Sequence, residues 1–473
     1  MAQYDLLVIG SGPAGQKAAV QAAKLGKTVG IIERRAVGGV STNTGTIPSK
    51  ALREAALYLS GFRQRNLYGT GYRLKETVTI EDLAFRANHI IKNEVEIVQN
   101  QMARNRIDLI SGEAHFVDPH RLLVQQAGTF TEHYAHVIVI AVGTEPTRPA
   151  NIPFDGHTII DTDGLVALKH LPTSMVIVGG GVIGAEYASI LAMVGVPIVL
   201  IDKRPRLLEF VDGQIIDALQ RQMTSIGVTL YHGEEVIAIR KEPDGQVTVS
   251  LTHRPPITTA TLLYAIGRNG ATKGLNLEGI GITPDARGRV TVNDHFQTAI
   301  PHIYAAGDVI GFPALASTSM QQGRHAACHA FNHPDHTDTD LLPYGIYAIP
   351  EISMVGRTEE DLVKADVPYA VGIAHYREIA RGQLTGDETG MLKLLFHRQT
   401  RVLLGVHAIG EGATEIIHIG QAVMAYKGTI DYFIDTVFNY PTFAECYKVA
   451  ALDGINRLPR PWPGKTLDVK RET

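Results

Sequence analysis

Val8-Ile9-Gly10-Ser11-Gly12-Pro13-Ala14-Gly15 ends a short apolar run, Leu6 to Ile9, in three glycines spaced as GxGxxG. An apolar run stopped by glycine reads as a buried strand of a parallel sheet, and the Ala-rich stretch that follows, to about Leu25, reads as a helix. A second strand, Thr28 to Ile32, ends in Glu33, which follows Gly10 by 23 positions. In this order the glycines have separate uses: Gly10 for the tight turn, Gly12 for close approach of a pyrophosphate to the backbone, Gly15 for helix–strand packing. The helix that starts at Pro13 offers the exposed N–H groups of its first turn, from Ala14 onward, to that anion, and Glu33 is placed to accept from a ribose hydroxyl.

The unit recurs. Met175 to Val178 is a strand, Gly179-Gly180-Gly181-Val182-Ile183-Gly184 the turn, and Ala185 to Met193 a helix; Pro197 to Ile201 is the next strand, ending in Asp202, again 23 positions after the first glycine. Two such units imply two dinucleotides. Ile303 to Asp308 is another strand ending in Gly-Asp. Val137 to Gly143-Thr144 and Leu262 to Gly267-Arg268 read as crossings between nested domains. The expected fold class is α/β: two nested Rossmann-like dinucleotide-binding domains plus a C-terminal α+β domain. The expected boundaries are 1–148 and 268–337 for the first domain, 149–267 for the second, and 340–473 for the third. The last should hold a strand pair around Gly390 to Ala408 and helices near Ala413–Tyr426 and Thr442–Ile455.

Composition agrees. At roughly 150 residues per domain, 473 residues make about three. Lys+Arg number 44 and Asp+Glu 48, for a net charge of −4, which weighs against a nucleic-acid binder with a basic stripe. No uncharged apolar run reaches the ~18 residues of a membrane span, and Met1-Ala-Gln-Tyr-Asp leads too abruptly into Leu6 and the glycines for a signal peptide. The two cysteines, Cys328 and Cys446, form no CxxC pattern. Neither a disulfide framework nor a Cys-ligated metal is expected, and the reducing cytoplasm is the expected compartment.

Both glycine motifs, the Tyr304–Asp308 segment, Pro350-Glu351 and the stretch from Gly38 through Ser41, Thr46 and Pro48-Ser49 to Lys50 resemble the flavoprotein disulfide reductases, the family of glutathione reductase and dihydrolipoamide dehydrogenase. The resemblance spans nearly the whole chain. It implies FAD on the first unit, NAD(H) or NADP(H) on the second, and a homodimer through the last domain, with any larger assembly left open. In that family the stretch before Lys50 carries two cysteines; here those positions hold Ser41 and Thr46. A disulfide takes two electrons because thiolate attacks sulfur and thiolate leaves, which hydroxyls cannot do. The family's His-Pro-Thr, whose histidine is a base, reads Tyr440-Pro441-Thr442, and a phenol with a pKa near 10 is a poor base at neutral pH. Glu445 remains where the family places that base's partner. Both departures fall on the disulfide half-reaction.

Thr44 to Arg53, Gly345 to Ser353, Glu415 to Ala422 and Phe438 to Thr442 are similar to the transhydrogenase branch, with Thr46 and Tyr440 matching its pattern. Ser41 departs from it, since many members keep one cysteine there. The branch implies FAD-dependent hydride transfer between NADPH and NAD+, ping-pong through flavin N5 at one shared site. A diaphorase, quinone reductase or NADH oxidase of the same fold would fit the missing cysteines as well. A redox-sensing binding protein is a third reading, which the intact hydride residues disfavour.

The resemblance also assigns residues. Lys50 lies by flavin N5 and pairs with Glu186. A buried cation there stabilises negative charge on the reduced ring, and Glu186 offsets its desolvation. Arg34, Gly39, Thr46, the Gly112-Glu113-Ala114-His115 turn, Gly143, Thr144, Asp308 and Ala316 complete the flavin set. Gly179, Gly181, Val182, Ile183, Gly184, Asp202, Lys203, Arg204 and Gly267 make the nicotinamide set. Asp202 should accept from the 2′-hydroxyl of NAD and repel the 2′-phosphate of NADP. Lys203, Arg204 and Arg206 could neutralise that phosphate, or form only a solvated basic turn. Unit charges ~4 Å apart at an effective dielectric of ~20 interact by about 4 kcal/mol, so neither effect obviously wins. His325, Cys328, His329, His333 and His336 read as a solvent-facing helix end, closed by Pro334, rather than a metal site. His418 reads as a core residue and the cysteines as small core fillers.

Overall fold

Leu6, Leu7 and Val8 are fully buried because their strand, β1 (Ala2–Ile9), is paired on both edges and packed on both faces, Leu7 in one core and Leu6 and Val8 in another. Burying each such side chain contributes about 1.5–3 kcal/mol. The computed structural model describes residues 2–69, 71–334 and 341–458; His336 lies outside the described residues. On one side of β1 come β2 (Val29–Glu33) and β3 (Asp108–Ser111), both parallel. On the other lies β6 (Thr129–Ile140), with Leu6 opposite Val137 and Ile9 opposite Ile140. The antiparallel strands β5 (Arg121–Gln126) and β4 (Glu113–Asp118) extend that edge.

The second glycine motif opens a five-stranded parallel sheet in the order β11-β10-β9-β15-β8. Its strands are β8 (Ile159–Asp161), β9 (Met175–Val178), β10 (Ile198–Asp202), β11 (Val228–His232) and β15 (Thr261–Tyr264). A three-stranded antiparallel sheet, β12 (Val236–Lys241), β13 (Val247–Leu251) and β14 (Ile257–Thr259), shares a core with it. The two crossings meet: β7 (Thr144–Pro146) pairs antiparallel with β16 (Arg268–Gly270). After the second crossing the chain returns, and β17 (Ile303–Ala305) adds to the first sheet beside β6.

The chain divides into two compact units. One gathers Met1–Phe62, Arg73–Leu207 and Met223–Thr339, the other Arg63–Tyr72, Leu208–Gln222 and Asp340–Thr473. Two segments that the sequence places with the dinucleotide-binding domains, 63–72 and 208–222, therefore belong to the second unit. Charge explains the longer one. Lys393 is wholly buried, and its ammonium lies 2.9 Å from both carboxylate oxygens of Asp212 and also bonds Glu359.

The second unit is built on an antiparallel sheet in the order β18-β19-β22-β21-β20. Its strands are β18 (Tyr344–Ile346), β19 (Ile352–Gly356), β20 (Tyr369–His375), β21 (Met391–His397) and β22 (Leu403–Ile409). The helices Ala413–Ala425 and Glu445–Asn456 pack on it through Ile417, Cys446 and Tyr447. The last helix starts later than the sequence suggests. Thr442 turns its hydroxyl back to the Asn439 carbonyl, 2.7 Å away, instead of capping the helix.

Removing Lys393 strands a buried carboxylate, so Lys393→Ala should lower stability by about 3–5 kcal/mol in urea unfolding. Burial works against the charge on Asp212, but His407 and Lys393 prevail and hold its carboxyl below the usual range. Its stabilising contribution is therefore present above about pH 4 and lost as pH falls further. Acid unfolding of Asp212→Asn should accordingly be less steep than that of the wild type.

Candidate functional site

Each glycine loop is closed by backbone contacts that admit no side chain. Gly10 has φ +102°, and a Cβ there would meet the Ala141 carbonyl oxygen at 2.4 Å; one on Gly15 would meet the Gly10 carbonyl oxygen at 1.9 Å. In the second loop Gly179 has φ +110°, and a Cβ on Gly184 would meet its carbonyl oxygen at 1.9 Å. At Gly12 and Gly181, by contrast, an added Cβ would find nothing within 4 Å. These two residues cap the helices Pro13–Lys24 and Val182–Met193, and no side chain caps either helix. The result is two uncapped helix N-termini, each beside open space, the arrangement that suits a pyrophosphate.

The acid after each second strand has a task the sequence does not reveal. Glu33 accepts from the Ser11 N–H at 3.0 Å and from the Ser11 hydroxyl at 2.7 Å, and its other oxygen takes the Arg35 N–H at 2.9 Å. Asp202 accepts from the Gly180 N–H at 2.6 Å. It also takes three bonds from Arg204: the backbone N–H at 2.8 Å, Nε at 2.9 Å and Nη2 at 2.6 Å. Burial disfavours its charge, but these bonds outweigh that and keep the carboxyl below its ordinary range. Four donors fill the four lone-pair positions of the carboxylate. Asp202 thus shows no vacant acceptor position, and Arg204, though 36% exposed, is bonded to it. Lys203 is exposed.

The helix Thr46–Ser60 lies against Val182–Met193. There the Lys50 ammonium sits 2.8 and 3.0 Å from the oxygens of Glu186. The Glu186 side chain is 5% exposed and that of Lys50 27%, and the ammonium also lies 3.2 Å from the Ser49 hydroxyl. Thr46, first in its helix, is exposed, and Ser41 lies in the short helix Gly39–Asn43. Gly39, at φ +61°, passes so near the first loop that a Cβ would lie 3.0 Å from the Gly12 Cα.

Asp308 follows β17. Burial pushes its carboxyl above the ordinary range, opposed by Arg268 and by the Ser319 hydroxyl 3.3 Å away. A desolvated carboxylate so thinly bonded suits a polyol. Ala316 begins the helix Ala316–Ala330, which packs on the first helix so closely that a Cβ on Gly323 would lie 2.0 Å from the Ala14 carbonyl oxygen. Other expected contacts are committed to the protein. The His115 Nδ1 meets the Gly274 carbonyl at 2.9 Å, and Thr144 accepts from the Arg268 Nε at 2.9 Å. Ala114 is in the core, while Arg34 lies near Glu113 at 3.7 Å and Glu145 at 4.0 Å. Gly143 and Gly267 turn the chain at the crossings with φ +64° and +78°.

Three histidine expectations need correction. His418 is exposed, bonded to Gln421 at 2.8 Å, because it falls on the outer side of its helix. His325 and His329 are half-buried rather than solvent-facing, since His295 stacks on both and His329 also meets the Tyr304 hydroxyl at 2.9 Å. Cys328 is wholly buried, so it shares no open surface with these histidines. Among the described residues no group of three His, Cys, Asp or Glu could hold a metal. Cys446 is a core residue too, and burial pushes its thiol well up. Tyr440 is 73% exposed.

Sequence reasoning missed two residues. Arg268 bonds Thr144, Thr162 and Asp163, joining both crossings to the end of β8. His232 ends β11 opposite Asp202, with both ring nitrogens shielded and without a hydrogen-bond partner. Neither has a sequence signal, because each depends on strand register.

The chain belongs to the pyridine nucleotide-disulphide oxidoreductases, whose family profile matches residues 4–323. The profile of that family's dimerisation domain matches residues 342–451. The chain is 52% identical over 464 residues to a soluble pyridine nucleotide transhydrogenase of Mycobacterium bovis (strain BCG / Pasteur 1173P2), covering 97% of this chain and 98% of the relative. It is 46% identical over 461 residues to one of Yersinia enterocolitica, covering 96% and 98%. Among solved structures, a Cu(II) complex of the HOCl-induced flavoprotein disulfide reductase RclA from Escherichia coli matches with a TM-score of 0.86 at 28% identity, covering 96% of this chain and 99% of that one. No helix among the described residues is long and apolar enough to cross a membrane.

Since a Cβ on Gly15 would collide with the Gly10 carbonyl, Gly15→Val should open the first loop. We expect that variant to purify with less than about a tenth of the wild-type flavin absorbance near 450 nm, at an anion site built from backbone groups.

Proposed function

We propose that this chain passes hydride between NADPH and NAD+, with FAD on the first glycine loop and the two nicotinamide dinucleotides taking turns at the second. The observation that carries the reading is the Lys50–Glu186 ion pair, preserved where the nearby thiol positions hold Ser41 and Thr46. FAD, when bound, supplies two-electron exchange at N5. Around it the chain's own residues bind, orient and hold charge. The uncapped helix starts at Gly12 and Gly181 would hold the two pyrophosphates. Asp308 would accept from the ribityl chain, and Arg34, Gly39, Ala114, Gly143 and Ala316 would line the flavin's side of the site. Lys50 keeps a fixed positive charge where negative charge develops, and Glu186 keeps that ammonium from swinging away. No hydroxyl at Ser41 or Thr46 can take over the electrons as a thiol pair would.

We also propose the domain division at 148/149 and 267/268, supported by the antiparallel pairing of the two crossings. A homodimer in the reducing cytoplasm fits the matched dimerisation domain and the two core cysteines.

The test is reduction of thio-NAD+ by NADPH. We expect a rate well above oxygen consumption without NAD+; a slower rate than oxygen consumption would make the protein a diaphorase instead. Lys50→Met should retain flavin and lower the transfer rate by about 10²-fold, the scale for losing one charge-stabilising donor.

A further inference from the structure

We propose that His232 is a positioning residue for Asp202: it takes up a proton and becomes the carboxylate's partner when Arg204 turns to the 2′-phosphate of NADP(H), so that one site serves both dinucleotides. This rests on the hydride-exchange reading above. Asp202 is 6% exposed, and four N–H groups, three of them from Arg204, fill its acceptor positions. A ribose 2′-hydroxyl can replace an Arg204 donor like for like, because it brings its own hydrogen. A 2′-phosphate brings only acceptors and draws the guanidinium to itself. Asp202 would then be a buried carboxylate without a cation, a strongly unfavourable state.

His232 is placed to prevent this. It is the register partner of Asp202 on the neighbouring strand. The turns beyond the two strands are fastened together, with the Gly233 N–H on the Arg204 carbonyl at 3.0 Å and the Glu234 N–H on the Asp202 carbonyl at 3.1 Å. Both imidazole nitrogens are buried and unbonded, so the ring holds an unspent donor next to the acid. Burial keeps it neutral, and the charge of Asp202 pulls the other way. Withdrawal of Arg204 strengthens that pull, and the proton comes from the buffer.

The other titratable groups on the packed elements are committed or distant from the ring's face. Glu234 accepts from the His253 N–H at 2.7 Å and faces Arg254 at 3.7 Å. On the neighbouring helix Glu186 is held by Lys50, and Tyr187 is a buried phenol whose pKa burial raises. Lys203 and Glu235 are exposed, and Arg206 is half-buried on the same turn.

The test counts protons. Calorimetric titration of the FAD-loaded full-length protein with NADP+ and with NAD+, near pH 7.5 in two buffers of unlike ionisation enthalpy, gives the protons exchanged on binding. We expect net uptake with NADP+, none with NAD+, and loss of the uptake in His232→Gln. A phosphate entering a cationic site by itself releases protons, so the sign discriminates. Release on NADP+ binding, or equal counts in wild type and His232→Gln, would overturn the proposal, and the wild-type count stands alone should the variant fail to fold. The NADPH-over-NADH ratio of kcat/KM should also rise between pH 8 and pH 6 several-fold more in wild type than in His232→Gln; parallel profiles count against it. Failure of NADP+ to bind at all would instead sink the hydride-exchange reading, and this proposal with it.

Discussion

A carboxylate at the end of the second strand holds the backbone N–H of the residue after the first glycine: Glu33 on Ser11, Asp202 on Gly180. The same bond made twice is the constraint on which both sites depend. It fixes the loop while the third residue of the following helix, Gly15 or Gly184, leaves no room for a side chain against the first glycine's carbonyl. Pinned from both ends, the loop directs the helix N-terminus into open space at Gly12 or Gly181. An anion site made of N–H groups has value only when those groups are already oriented, because ordering them on binding would consume the gain. The acid therefore acts first on the loop, and whatever else it bonds draws on the remaining acceptor capacity.

That capacity differs between the two copies, and the difference suits their ligands. Glu33 spends its bonds on Ser11 and Arg35 and carries no guanidinium, as befits a site holding one resident group. Asp202 is covered by Arg204, so its pair is close to neutral and its composition can change with the ligand. The pair at Lys50 and Glu186 is built the same way: the carboxylate is the buried member, and the more exposed ammonium also meets the Ser49 hydroxyl at 3.2 Å. Desolvating Glu186 is costly without a partner, so the glutamate holds the lysine as firmly as the lysine is needed elsewhere.

The fold was largely legible because both glycine motifs carry their strands and acids with them, and backbone packing alone dictates Gly10, Gly15, Gly179 and Gly184. The pairing of Lys50 with Glu186 was legible only through resemblance, since the 136 positions between them give no local signal. Charge at the second acid was misread. Asp202, Lys203 and Arg204 look in sequence like opposed forces on a ligand, but the chain turns Arg204 back onto Asp202. His232 and Arg268 were invisible for a different reason: their neighbours come from other strands, so nothing within a few residues of either reports them. His418 misled by sitting in an apolar helix on a side that the sheet does not cover.

Ser41 and Thr46 can replace thiols without loss of the fold because they carry no packing that depends on sulfur. Thr46 is exposed at the start of its helix, and Ser41 lies in a short helix held by the Asn43 amide on the carbonyls of Val37 and Gly39. The glycine loops and the acids that pin them lie outside that segment, and Lys50 follows Thr46 by one turn of the same helix, where its pairing with Glu186 needs nothing from either hydroxyl. A chain freed from thiol exchange has one reactive face to serve, and its selectivity must come from how the second loop admits one dinucleotide or another. In the reading proposed above, selection then falls on the few side chains around Asp202, whose carboxylate is held by a single guanidinium.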